Sequence, residues 1–193
     1  MSAELHQVVR DNLEVARRVL RFFELKKLID EIPSMGRPLL SKIRGSLSAR
    51  VEEIRVASLP LVLVFVASCL EHYLREKIPI KEREKLEKEK KLGFEKLIER
   101  FSSRMGENLA LSVHEMRIKR NVILHKAGVI DNKALKDFEE KGLMGYSVGA
   151  KLVLSEDEVR GYIDVCEKIC NLICARADED NSAPTIYLTF VSY

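Results

Sequence analysis

Tryptophan is absent from the chain, and proline and glycine are scarce, at 5 and 9 of 193 residues. Turn-rich sandwiches, collagen-like repeats and disordered segments use more of both, so the composition argues against those classes. Net charge is small as well. Lys and Arg total 33 against 30 Asp and Glu, a formal +3, too balanced to hold nucleic acid by bulk charge; any such contact has to be local. The longest run without a charge, Val56 to Leu70, has 15 residues. A membrane span wants about 20, so a buried helix is expected there and no membrane partner. Met1 to Arg10 is mixed and polar rather than basic and then apolar, which places the protein in the cytoplasm by expectation.

The four cysteines do not form a disulfide framework. Cys166, Cys170 and Cys174 recur every fourth residue. On a helix they span about 12 Å and cannot converge on one metal. With Cys69, inside the apolar run, they read as small buried hydrophobes in a reducing compartment. No group of carboxylates has metal-ligand spacing, and His114 with Asn121 and His125 is only a partial set. No metal or cofactor is expected.

What is abundant points to helices: 46% hydrophobic and 33% charged residues, apolar positions at three and four, and enough apolar side chain for one core. Ser2 to Ile32 reads as one amphipathic helix, stopped at Pro33-Ser34-Met35-Gly36. Pro38 opens a second helix carrying Leu39 to Ile54. Ser58 then offers an N-cap, with Pro60 in the first turn, for a third helix running to about Lys77. Lys81 to Lys91 is a charge run with six basic and four acidic residues, a solvated helix or linker. Helices follow over Phe94–Met105, Asn108–Lys126 and Asn132–Glu140, with Gly128 placed for a helix end. Lys151 to Leu154 reads as a short extended piece. Ser155 with Glu158 makes a capping box for a last helix, to about Arg176. The tail from Asp178 is polar and then β-prone.

The helix over Asn108–Lys126 carries the chemistry. One apolar stripe holds Leu109, Val113, Met116 and Ile123, with Arg120 at its centre; a second holds Leu111, Ile118 and Val122. Two stripes suggest two packing partners, the home bundle and a second subunit. A face with His114, Asn121 and His125 lies between them, and Asn108, Ser112, Glu115, Lys119 and Lys126 form the solvent strip. A charge within an apolar stripe needs a partner or a polar cleft. Asn121 and His125 are four apart, so the amide can orient the imidazole. An imidazole that moves protons beside a guanidinium that holds phosphate suits phosphodiester chemistry. The plain alternative is that Arg120 pairs with a carboxylate such as Glu71 while His125 merely ends the helix.

Arg120-Asn121-Val122-Ile123-Leu124-His125 resembles the Arg-x4-6-His signature of the HEPN superfamily, named for higher eukaryote and prokaryote nucleotide-binding domains. The apolar helix with Cys69-Leu70-Glu71-His72-Tyr73-Leu74 is similar to that superfamily's first core helix. Gly149-Ala150-Lys151-Leu152-Val153-Leu154-Ser155 and the helix after it are similar to the usual end of its domains. The resemblance implies an all-α bundle forming a two-fold homodimer, divided as an N-terminal helical extension (1–56), a HEPN-like domain (57–177) and a C-terminal tail (178–193).

By the same resemblance the protein is a metal-independent endoribonuclease, a toxin or antiphage effector whose partners are RNA and an antitoxin or regulatory protein. The substrate 2′-OH would attack the adjacent phosphate and leave a 2′,3′-cyclic phosphate. Arg120 would stabilise the phosphorane, His125 would move protons and Asn121 would orient His125. Glu71, Arg117 and His114 would support them. Catalytically inactive members that dimerise and bind RNA or protein are the alternative. Some toxin members carry a tyrosine two residues after the histidine; Ala127 stands there in this chain, so regulation by tyrosine modification does not carry over.

Overall fold

The computed structural model describes residues 2–31 and 38–181; among these the fold is all-α, 80% helix with no strand. The helices are α1 (Ser2–Phe22), α2 (Leu25–Asp30), α3 (Pro38–Glu76), α4 (Ile80–Lys88), α5 (Phe94–Met105), α6 (Glu107–Lys126), α7 (Asn132–Glu140) and α8 (Glu156–Asn181).

The main core is built by α1, α3, α5, α6 and α8. Leu13 and Leu20 of α1 meet Leu63, Val66 and Leu70 of α3, Leu97 and Ile98 of α5, Val113 and Met116 of α6, and Ile163, Cys166 and Ile169 of α8. Spacing at three, four and seven puts the α1, α3, α6 and α8 sets each on one helical face, with Leu97 and Ile98 adjacent on α5, and burying such faces supplies the stability. The Tyr73 hydroxyl, at the centre, donates to the Cys170 carbonyl at 3.0 Å. Cys69, Cys166 and Cys170 are buried, and all four cysteines are free. Burial raises the Cys69 thiol to about 11 and Cys170 to about 12, so these thiols are inert hydrophobes.

Two expectations fail on backbone. The first helix ends at Phe22 instead of running to Ile32. Phe23 and Glu24 donate to the carbonyls three residues back, each at 3.0 Å, tightening the turn while Phe23 enters the core. Ile32 and the Pro33–Gly36 turn lie outside the described residues. The two helices expected across Pro38–Lys77 are one, α3, with Pro60 inside it. Proline there removes one backbone bond, yet Leu59, Val62, Leu63 and Val66 on both sides of it are buried in the core. Packing outweighs the missing bond, and Ser58 caps nothing. The boundary read between 56 and 57 therefore falls inside α3, and α1 shares the core with the rest. Among the described residues, α3 alone is long and apolar enough to cross a membrane by length and composition; its Leu59, Leu63, Val66, Leu70, Tyr73 and Leu74 are sealed in this core.

A smaller core joins Ile118 and Val122 of α6 to Ile130, Ala134 and Phe138, with Leu143, Tyr146 and Leu152 packed against it. Phe138 stacks on Tyr146 with centroids 3.8 Å apart. The second apolar stripe of α6 is thus covered by α7 and the following loop, in large part without a second subunit. The Lys151–Leu154 piece pairs with the chain after α6 through an isolated antiparallel bridge, Val129 with Lys151. The Ser155 box forms as expected: Glu158 N donates to Ser155 Oγ at 3.1 Å, and Ser155 N to Glu158 Oε2 at 3.4 Å. The β-prone stretch of the tail lies outside the described residues.

Candidate functional site

Helix α6 begins after Gly106, at φ 79°, and ends on Ala127, held left-handed at φ 50°, ψ 33°. Gly128 follows at φ 80°. The expected glycine terminus is thus shared by two residues, of which the first is an alanine, and the turn leads directly into Asp131. The Asp131 carboxylate accepts from Ala134 N at 2.8 Å, capping α7 and setting it alongside the last turns of α6.

A cavity of about 350 Å³ lies between them. It is lined by Arg117, Asn121, His125 and Lys126 of α6, by Asp131, Lys133 and Asp137 at α7, and by Glu95 of α5. Arg117, Asn121 and His125 are successive fourth residues, so they form one row about 12 Å long. His125 and Lys126 are exposed at the mouth, whereas Arg117 is only 6% exposed. Arg117 pairs with Glu95 at 3.2 Å, and Lys126 with Asp131 at 3.0 Å. Asn121 and His125 share the cavity, but no hydrogen bond joins them among the described residues.

Arg120 sits elsewhere. Five residues from His125, it lies about 140° round the helix. Its Nη1 pairs with Glu71 Oε2 at 2.9 Å, and its guanidinium lies 5.9 Å from the Phe94 ring centroid. Arg75 approaches the other Glu71 oxygen at 3.5 Å. The alternative partner anticipated for Arg120 is therefore the partner it has. Within one chain, the arginine that shares a cavity with Asn121 and His125 is Arg117.

His114 is buried a turn before Arg117, and its Nδ1 has no hydrogen-bond partner. Burial, reinforced by the Lys141 and Arg117 charges, pulls its pKa down to about 4. It is neutral at pH 7 and cannot serve as a proton carrier there.

Sequence reasoning missed Lys119, placed on the solvent strip and found 5% exposed. Its Nζ donates to Glu115 Oε1 at 2.7 Å, to Glu158, and to Tyr162 Oη at 3.1 Å. The Tyr146 hydroxyl donates to Glu115 at 2.8 Å, and both tyrosine rings lie within 6 Å of the ammonium. Burial alone would lower the Lys119 pKa; the hydrogen bonds to Glu115 and Glu158 outweigh it and hold the group well above its ordinary range. Such a lysine is a fixed cation and no nucleophile. It ties α6 to α8 and to the loop bearing Tyr146. The Glu115–Lys119 spacing was a legible signal; the two tyrosines, distant in sequence, were not.

No protein-family model, curated protein or solved structure matches the chain. No group of three or more His, Cys, Asp or Glu able to hold a metal occurs among the described residues.

Proposed function

We propose that the protein is a metal-independent endoribonuclease of HEPN-like design, working through the substrate's 2′-OH. The observation that carries this reading is the row Arg117–Asn121–His125 along a cavity open at the His125 end. An accessible imidazole is available to move a proton, and two guanidinium groups precede it on the same helix, Arg117 within the cavity and Arg120 outside it, to meet phosphate charge. Arg120 and His125 are the catalytic pair of this reading; Asn121 lines the cavity beside His125, and Arg120 has to leave Glu71 to join them. Pairing of two chains brings two imidazoles to one cleft, one as base and one as acid. Exposed apolar side chains on α3, Leu61 at 68% and Phe65 at 39% exposure, support such pairing. So does Leu124, exposed beside His125. Toxin or antiphage action, a regulatory partner and a cytoplasmic setting belong to the same reading.

A second reading, a non-catalytic module that dimerises and binds RNA or protein, is favoured by the neutralisation of Arg120 by Glu71. Cleavage assays separate the two. The ribonuclease reading expects cutting of RNA in EDTA, 2′,3′-cyclic phosphate and 5′-hydroxyl ends, no cutting of all-DNA substrates, and about twice the chain mass by light scattering. Arg120→Ala and His125→Ala should each lower the rate at least about a hundredfold while the helical circular dichroism persists. Activity that vanishes in EDTA and returns with Mg²⁺, or products bearing 5′-phosphate, would refute the mechanism.

A further inference from the structure

A guanidinium carries five N–H donors, and burying them without acceptors is costly. Arg117 is buried and makes one charged contact, Nη2 to Glu95 Oε1 at 3.2 Å. Its Nε is sealed from solvent with no partner. The pair is lopsided, because the Glu95 side chain is 44% exposed while the arginine is not. Ion pairs built for stability match their partners' burial and satisfy the remaining donors. Here the cation stays committed to the cavity, and the carboxylate covering it can swing out into water at little cost.

We propose that the α6–α7 cavity is a phosphate-binding subsite anchored by Arg117, in which an incoming phosphate displaces Glu95 and takes the guanidinium through two parallel hydrogen bonds. Planar, bidentate recognition of phosphate is what a guanidinium fork does best. Lys133 and Asp137 both line the same cavity, and Lys126 is already held by Asp131, so with Glu95 displaced the buried Arg117 is the cation left to meet an anion. His125 stands about 12 Å along the row, so a chain of nucleotides gripped at Arg117 presents a more distant phosphate to the imidazole. Arg117 is thus a positioning residue for substrate, distinct in place from Arg120. The RNA source of the phosphate rests on the ribonuclease reading; the anion subsite itself does not.

Two probes test this, inorganic phosphate and a fully 2′-O-methylated RNA oligonucleotide, which cannot supply the nucleophile and so reports binding alone. Binding to the full chain is followed by fluorescence anisotropy over a range of salt, with phosphate as competitor. Arg117→Gln should weaken oligonucleotide binding about tenfold and flatten the slope of log K against log salt by about 0.7, the amount lost with one single-strand phosphate contact. Arg117→Lys should keep the slope. Glu95→Gln, which leaves the arginine in place and removes its competitor, should bind both probes more tightly than wild type, by threefold or more. A structural ion pair predicts the opposite sign for Glu95→Gln, so this variant decides the matter even if Arg117→Gln fails to fold. Unchanged affinity and slope in a folded Arg117→Gln, or weaker binding in Glu95→Gln, overturns the subsite. Wild-type cleavage kinetics in Arg117→Gln removes the subsite and keeps the ribonuclease. Arg117-dependent binding of inorganic phosphate, in a protein that neither binds nor cuts RNA, keeps the subsite and assigns it to a free phosphate compound.

Discussion

Acidification should destabilise the protein through His114 before its carboxylates titrate fully. The folded state holds this imidazole neutral, with its pKa moved from the ordinary 6.5 down to about 4 by burial and then by Lys141 and Arg117. The unfolded chain therefore binds the proton more readily than the folded one, and stability from this group is complete above pH 6.5 and lost as pH falls towards 4. The move from 6.5 down to about 4 corresponds to about 3 kcal/mol when the titration is complete. Roughly 2 kcal/mol of that is lost between pH 7 and pH 4.5. At 8% exposure solvent screening removes little of it. Urea denaturation at pH 7.0 and 4.5 measures the loss, and His114→Gln supplies the reference, since other groups titrate alike in both proteins. Wild type should lose about 2 kcal/mol more than His114→Gln over this window. Equal losses in the two proteins, or a smaller loss in wild type, would show that His114 accepts its proton without disturbing the fold, and the burial argument would fail.

Lys119→Met should destabilise the protein by about 2–3 kcal/mol at pH 7, because Glu115 and Glu158 would be left to face each other without their cation; both keep about a quarter of their exposure, which places the loss below that of a fully buried pair. The deficit should shrink on acidification, because Glu115, which burial would raise but the Lys119 and Tyr146 hydrogen bonds hold below its ordinary range, gives up that advantage as it protonates; urea titrations at two pH values check both statements. Ala127→Gly should stabilise by about 0.5–1 kcal/mol, the left-handed strain relieved less the entropy glycine loses on folding; a lower melting temperature would show that Ala127 is not strained at φ 50°.

Local chemistry carried much of the fold into the sequence. Gly106 separates α5 from α6, and Ser155 with Glu158 announces α8, because turns and caps are written by neighbours within a few residues. Pro60 misled for the opposite reason. A proline two residues after a serine has the local form of a helix start, and only the buried positions on both sides of it, Leu59 with Val62, Leu63 and Val66, show that the helix passes through. The break at Phe23 has no glycine or proline to mark it; Phe23 turns inward to fill the core. The site divides in the same way. Periodicity alone placed His114, Asn121 and His125 on one face, and Arg117 belongs to that face too. The partners that give each cation its character, Glu71 for Arg120, Glu95 for Arg117 and Tyr146 with Tyr162 for Lys119, come from other helices and loops. No spacing rule on α6 encodes them.

The Arg120–Glu71 pair bears on whether the motif can work at all. An ion pair screened from water resists opening mainly because the partner left behind is stranded. Glu71 would not be stranded, since Arg75 already stands 3.5 Å from its second oxygen. Arg75 in turn is steadied by the Leu92 carbonyl, at 3.4 Å, and lies one turn further along α3. Arg120 keeps 20% side-chain exposure. Release of Arg120 then exchanges one carboxylate contact for one phosphate contact while Glu71 keeps a cation beside it, so no buried charge is left alone at either end of the exchange. In the ribonuclease reading the pair is a resting state that holds the guanidinium extended on the α3 side of α6 until substrate arrives. The binding reading needs no such release. The presence of Arg75 behind Glu71 is therefore an observation on the side of catalysis, and it weighs against taking the ion pair by itself as the mark of an inactive site.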